Sequence, residues 1–295
     1  MKSMHTPTAS RCGSGKNKLM YSRLRLSEKY FHYYLTAANG KGHGIHSPFV
    51  YDFVRNVLCD RSVDPAFGPI EGLRRRLLKD GSVLEVEDMG AWSVNSTSRV
   101  RRVADMARNA AKPARLGQLL FRLAKTYRPS VVVELGTSLG LSTAYLAAGV
   151  VDARGAEGVG TRGAGVWTIE GSGAVAKRAA GHLSELGLDR VEVVTGNFDV
   201  VLEPLLERTG PVDLAFVDGN HRYEPTLRYF DTLMRHSGQA AMLVFDDIHW
   251  SADMERAWAE IKADPRVMLT IDLFFLGLVV RRDEFKVKQE FTIRF

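Results

Sequence analysis

Beyond residue 128 the chain alternates two kinds of hydrophobic pattern. Apolar runs of strand length, PSVVVELG (129–136), GVWTIEG (165–171), RVEVVTG (190–196), VDLAFVDG (212–219) and AAMLVFDD (240–247), are each followed by a stretch with apolar residues at helical spacing. Those stretches are LSTAYLAAGV, AVAKRAAGHLSELG, DVVLEPLLERT, PTLRYFDTLMRHS and SADMERAWAEIKA. Five strand and helix units in succession predict a parallel sheet covered on both faces, because parallel strands need helical crossovers and bury both sides. After the last helix, VMLTIDLFFLGLVVRR (267–282) has room for two strands and a tight turn at Gly277, but none for a helix. That pair is expected as an antiparallel hairpin at one edge. The expected fold class is α/β, a doubly wound sheet of seven strands, five of them parallel.

Upstream the pattern changes. YSRLRLSEKYFHYYLTA, SPFVYDFVRNVLC, GPIEGLRRRLLK, SRVRRVADMARNA and ARLGQLLFRLAKTY all carry helical periodicity and predict a mostly helical cap on the sheet, with the Gly-rich ANGKGHGIHSP as a loop. The first residues are polar, contain Gly and Ser, and lack the apolar segment of a secretory signal, so they read as a flexible leader. The expected layout is a leader over 1–20, a cap over 21–114 and the α/β domain over 115–295.

Composition narrows the class rather than the function. With 45% apolar and 25% charged residues, and no run near the roughly 18 apolar residues of a membrane span, the chain reads as globular, with no membrane partner. The two cysteines, Cys12 and Cys59, form no CxxC, so neither a disulfide framework nor a zinc site is suggested and a reducing cytoplasm fits. The net charge of +6 hides an asymmetry: residues 1–130 hold 23 Lys and Arg against 10 Asp and Glu, and residues 131–295 hold 17 against 24. A basic N-terminal half suits a nucleic acid, an acidic small substrate or simply a solvated surface. RRR (74–76) and SRVRRVADMARNAAKPAR are the segments that would meet phosphates.

The strand ends carry the chemistry. In VVVELGTSLGLS (131–142), Glu134 ends a strand and Gly136 and Gly140 precede a helix. Ligands of open α/β sheets bind beyond the strand C-termini, and glycine lets them approach the backbone. The G-x-x-x-G spacing is not the dinucleotide GxGxxG, and no phosphate-loop Lys-Ser/Thr follows, so the pattern points away from NAD and ATP. Glu134 would repel a pyrophosphate but accept hydrogen bonds from an ammonium. Glu170, ending the second strand, either accepts both hydroxyls of a ribose or caps the next helix. The fourth and fifth strands end FVDGNH and VFDDIH, which places Asp218, Asp246 and Asp247 beyond neighbouring strands. Adjacent side chains of a strand point to opposite faces, so Asp246 and Asp247 share a ligand only if the strand stops there and the chain turns. Three clustered carboxylates call for a cation, and oxygen ligands suit Mg²⁺ or Ca²⁺. The alternative is that Asp247 caps the following helix. His221, three residues after Asp218, is of the residue type best suited to accept a hydroxyl proton near neutral pH, or is simply a loop histidine at a helix start. His249 and Trp250 either line a pocket or pack under a helix, and the His43 and His46 loop suits packing or a lid. LEVEDMGAWS (84–93) only faintly mimics a cofactor turn.

Taken in order, Glu134, Gly136, Ser138, Gly140 and Ser142, then Glu170, then GNF at 196–198, resemble a class I S-adenosylmethionine-dependent methyltransferase over about residues 115–282. The branch resembled is that of the catechol and caffeoyl-coenzyme A O-methyltransferases, whose fold is Rossmann-like. The resemblance implies that Glu134 and the loop Gly136, Thr137, Ser138, Gly140 and Ser142 hold the methionine part of S-adenosylmethionine, Glu170 its ribose, and Asn197 and Phe198 the adenine surroundings, with Asp218 adjoining the cofactor. It implies a divalent metal at Asp218, Asp246 and Asp247, where the family has Asp, Asp and Asn. It also implies a general base at His221, where the family has lysine. The expectation is metal-assisted O-methylation of a small hydroxylated acceptor. RNA methylation is the second reading and a non-catalytic cofactor-binding protein the third. The edge hairpin and apolar cap helices offer surfaces for a homodimer.

Overall fold

The computed structural model describes residues 20–38, 46–86, 100–154 and 165–295. Helix α1 (Arg23–Thr36) starts at Ser22, whose hydroxyl accepts from the Arg25 N–H. Then come α2 (Pro48–Phe53), which runs on into a π turn at Val54–Leu58, and α3 (Phe67–Leu77). Strands β1 (Val83–Glu85) and β2 (Val100–Arg102) pair as a small antiparallel sheet ahead of α4 (Val103–Ala110). Within the expected helix SRVRRVADMARNA, Val100–Arg102 therefore contribute a strand instead.

The α/β part follows the expected order: α5 (Ala114–Tyr127), β3 (Val131–Leu135), α6 (Leu141–Arg154), β4 (Gly165–Glu170), α7 (Gly173–Glu185), β5 (Val191–Thr195) and α8 (Phe198–Thr209). Then come β6 (Val212–Val217), α9 (Tyr223–Arg235), β7 (Ser237–Asp246), α10 (Ala252–Ala263), β8 (Leu269–Asp272), β9 (Leu276–Val280) and β10 (Gln289–Thr292). The sheet order is β10-β8-β9-β7-β6-β3-β4-β5. Strands β3 to β7 pair in parallel and β8–β9–β7 antiparallel.

Two expectations need correction. Among the described residues the sheet has eight strands, because β10 adds in parallel beside β8 and covers the edge that the hairpin would have left open. The hairpin turn lies at Leu273–Phe275, with Phe274 at φ 69°, and not at Gly277, which sits inside β9. A side chain at Gly277 would press within 2.8 Å of the Trp258 ring, so packing and not turn geometry requires glycine there.

Period-two alternation splits each parallel strand between two layers. Val132, Val166, Leu214, Phe216 and Val244 pack with α2, α5 and α6; Val133, Leu135, Ala215, Val217 and Phe245 pack with α8, α9 and α10. A third apolar cluster joins α3 and α4 to α6 through Leu73, Val103 and Tyr145. Helix α1 is tied to the C-terminal end of the sheet by polar contacts. The Tyr21 hydroxyl and Lys29 ammonium both donate to Glu255 (2.7 and 2.9 Å), and the buried Tyr33 hydroxyl donates to the Ile293 carbonyl at 2.5 Å. His249 bridges Glu255 and Asp272 with its two ring nitrogens, at 3.1 and 2.9 Å. Among the described residues no helix is long and apolar enough to cross a membrane.

Candidate active site

The strand order reverses between β6 and β3, and there the turns after β3, β4, β6 and β7 open into one cavity of about 1110 Å³. That exceeds the roughly 300–1,000 Å³ of a site for one drug-sized ligand. The turn after β3 begins at Gly136, with φ 107°, where a Cβ would overlap the Asp218 carbonyl oxygen. Asp218 in turn donates its N–H to the Leu135 carbonyl at 2.8 Å, so two strand ends are drawn together. Ser138 (φ 47°), Asn220 (φ 52°) and Asp247 (φ 55°) also adopt the left-handed region, and all three line this cavity. Backbone held in sparsely populated conformations gathers at ligand sites.

On one side the walls are loops held by hydrogen bonds. The Glu170 carboxylate accepts the N–H groups of Ser138 (2.8 Å) and Ser172 (3.1 Å), which fixes the β3 turn against the β4 turn. Burial raises its pKa, and the backbone donors offset part of that rise. Asn197 caps α8 by accepting the Asp199 N–H at 2.9 Å. The Phe198 ring stands edge-on to Tyr229, centroids 5.7 Å apart.

Glu134, Thr137, Gly140 and Ser142 do not line this cavity. Glu134 is fully buried beneath the loop, its Oε2 accepting from the hydroxyls of Thr143 and Thr168 (2.7 Å for Thr168), and Thr137 shares a hydrogen bond with Thr168 at 2.6 Å. Its Oε1 is buried without a partner. Burial raises the Glu134 carboxyl to about 7 against the lowering effect of the Ser142, Thr143 and Thr168 hydroxyls. The Gly140 N–H closes a turn onto the Thr137 carbonyl at 2.9 Å.

The opposite side is built from charge. Strand β7 ends at Asp246, and the turn at Asp247 brings both carboxylates to the same place as Asp218. The following helix is capped by Ser251, so Asp247 is left to the cavity. What fills the space between the three is a residue that the sequence did not single out. The Lys112 ammonium donates to Asp246 Oδ2 in a short contact and lies 3.2 Å from Asp218 Oδ1 and 3.8 Å from Asp247 Oδ2. Lys112 belongs to a segment read as phosphate-contacting, and it turns inward instead. His221 Nε2 is 3.5 Å from Asp218 Oδ1 and 4.0 Å from Asp247 Oδ2.

Charge balance explains the titration of this cluster. Burial disfavours every charged form, yet the Lys112 ammonium and His221 hold Asp218 down at about 2. The three carboxylates outweigh the burial of Lys112 and raise its pKa. Burial and the neighbouring Asp247 push Asp246 well up despite Lys112. One ammonium serves three carboxylates, so the most buried of them takes a proton first.

The donors also suit a divalent cation. One ligand atom each of Asp218, His221 and Asp246 lies within 4.8 Å of the others, and Asp246 Oδ1 is buried without a partner. Aromatic side chains flank the cluster: Trp250 and Phe275 adjoin Asp247, which is hydrogen-bonded to both backbones, and Tyr30 of α1 packs 5.7 Å from Phe275. His249 is turned away into its pair of carboxylates. Of the basic triplet, Arg74 pairs with Glu71 and Arg76 with Glu185. His43 and residues 87–93 lie outside the described residues, as does the expected leader up to residue 19.

Comparison with known proteins agrees with this geometry. Residues 133–248 match the model of a methyltransferase domain family. The chain is 33% identical over 139 residues to the catechol O-methyltransferase of Mycobacterium tuberculosis, a match covering 47% of this chain and 57% of that protein. It thus spans little more than half the length of that curated relative. The Podospora anserina methyltransferase with bound S-adenosylhomocysteine superposes with a TM-score of 0.54 at 15% identity, covering 90% of this chain and 98% of that one. The Bacillus cereus O-methyltransferase in complex with S-adenosylhomocysteine gives 0.51 at 20% identity, covering 79% and 97%. Residues 133–248 thus resemble a methyltransferase domain family, and the chain shares the Rossmann-like fold of the methyltransferases it superposes on, with its cavity at the strand-order reversal.

Proposed function

We propose that the chain transfers the methyl group of S-adenosylmethionine to a hydroxyl oxygen of a small hydroxylated acceptor. The observation that carries this reading is the meeting of Asp218, His221, Asp246 and Asp247 with the Gly136 and Glu170 turns in one cavity. The hydrogen-bonded side suits the cofactor: Glu170 the ribose, the Gly136 to Ser138 turn the methionine part, Asn197 and Phe198 the adenine. Glu134 then acts from beneath, holding the loop through Thr143 and Thr168. The aromatic walls at Tyr30, Trp250 and Phe275 suit a flat acceptor.

Transfer is an in-line displacement. The acceptor oxygen forms a bond to the methyl carbon, the carbon–sulfur bond breaks with its electron pair going to sulfur, and the hydroxyl proton leaves. His221 Nε2 is the atom placed to take it. Nε2 lies 3.5 and 4.0 Å from Asp218 and Asp247, so the imidazolium that forms on taking the proton sits beside two carboxylates. Holding acceptor and donor in one cavity supplies the orientation on which such a transfer depends. A divalent cation at Asp218, Asp246 and Asp247 would add Lewis-acid polarisation of an acceptor oxygen.

The test is transfer of radiolabelled methyl from S-adenosylmethionine into a small-metabolite extract and into bulk tRNA, side by side, with and without EDTA. Label is expected in the metabolite fraction. Label confined to tRNA would overturn the reading, and suppression by EDTA would locate the metal dependence.

A further inference from the structure

Lys112 occupies the one point that all three carboxylates share. Its Nζ contacts Asp246 Oδ2 directly and lies 3.2 and 3.8 Å from Asp218 and Asp247, while its side chain is 16% exposed. The chain delivers it there by local chemistry. Lys112 precedes Pro113, whose ring disfavours helix at the preceding residue, and α4 accordingly stops before it. The lysine leaves the helix and extends toward strand ends far along the sequence. An oxygen-bound divalent cation needs the same oxygens at about 2.0–2.6 Å. An ammonium already in contact with Asp246 Oδ2 would then lie against the ion, with like charges and no room for water between them.

We infer that Lys112 and a divalent cation are alternative occupants of the Asp218, Asp246 and Asp247 site, so that Lys112 sets the metal affinity by having to leave before the ion enters. The inference rests on the reading that these carboxylates take a divalent cation. Its new content is the exchange. Two features favour an exchange over permanent replacement. The cluster keeps an excess of negative charge with Lys112 in place, and Asp246 Oδ1 is buried with no partner, a ligand atom that the lysine leaves unused. Lys112 also stands at the junction of α4 and α5, and Met106 and Leu116 of those helices line the same cavity. Metal entry is thereby coupled to the cap-side wall.

If Lys112 holds the site in nine molecules of ten or more, the apparent metal affinity is weakened by about tenfold or more relative to a protein without the lysine. The experiment is titration of Mn²⁺, followed by its electron paramagnetic resonance signal, into wild type, Lys112→Met and Lys112→Arg, each first shown to bind S-adenosylhomocysteine. Lys112→Met should bind Mn²⁺ at least about tenfold tighter than wild type, and Lys112→Arg, which keeps a cation, should not. Equal, measurable affinities in all three would overturn the exchange and leave the metal reading standing. No binding by any of them would remove the metal reading and the exchange with it. A second measurement needs no variant. Reductive methylation of wild type, read by mass spectrometry, should modify Lys112 several-fold faster at saturating Mn²⁺ than without it, and equal protection in both states would overturn the inference.

Discussion

The two sides of the cavity are made by opposite means. On the Glu170 side the walls are strand-end turns whose N–H groups are satisfied by a carboxylate and by neighbouring carbonyls, so position is fixed by backbone geometry. On the Asp218 side the walls are like charges that hold together only because a cation stands among them. The first kind of site tolerates little change of shape, and the second little change of charge. Substitutions that alter shape alone or charge alone should therefore separate the two.

The largest effect is expected from a change of shape. Gly136→Ala combines a positive φ with a Cβ that overlaps the Asp218 carbonyl. Left-handed backbone costs an L-residue roughly 1–2 kcal/mol and overpacking about 1–3 more. A loss of about 2–5 kcal/mol is expected in urea denaturation, with cofactor binding lost as well. Unchanged stability would mean that the two strand ends are not locked as described.

The next effect lies under the shape-built side and depends on pH. Glu134 titrates at about 7 in the folded protein, against roughly 4.3 unfolded. The folded state therefore binds the extra proton between those values, and the stability this contributes is full below about pH 4 and lost as pH rises through 7. Wild type should lose about 3 kcal/mol relative to Glu134→Gln between pH 4.5 and 7.5. Urea titrations of both proteins at the two pH values decide it, and a constant difference would place Glu134 in an open, ordinary environment.

These two residues also show what can be read from the chain alone. The five parallel strands announce themselves as continuous apolar runs because both faces are buried, and the motif glycines stand out because they interrupt those runs. Glu134 was legible as a strand-end carboxylate, but its position beneath the loop depends on hydroxyls of β4 and α6, whose approach is a matter of packing. Strand β10 escaped notice because four half-polar residues after an irregular stretch carry no signal of their own. Lys112 escaped for a different reason. Three carboxylates declare that a cation is needed, and the sequence does not say whether it comes from solution or from a lysine 134 residues before Asp246.

A change of charge without a change of shape comes third. Asp246→Asn keeps the volume and removes one of the contacts that hold Lys112. Turnover should fall about 100-fold, the scale on which a small misplacement of reacting groups acts, while S-adenosylhomocysteine affinity stays within about twofold, since the backbone-built side is untouched. Calorimetry with S-adenosylhomocysteine beside a turnover assay reads both, and equal losses in the two would show that the sides are not independent.

The smallest effect is the mirror of that experiment. Glu170→Gln also keeps shape and removes charge, but on the side that is built by hydrogen bonds. One amide oxygen can still accept the Ser138 N–H, whereas the position facing Ser172 then presents a donor to a donor. A hydrogen bond to a charged group contributes about 1.5–3 kcal/mol, and part of that survives in the amide. Cofactor affinity should therefore weaken by about tenfold, with turnover at saturating S-adenosylmethionine nearly unchanged. That split between KM and kcat is what a ground-state cofactor contact produces, because an interaction equally strong before and during transfer leaves kcat alone. If kcat fell instead, Glu170 would be acting on the transferring methyl group through the Ser138 turn, and the division of the cavity into a shape-built and a charge-built side would fail at its nearest point.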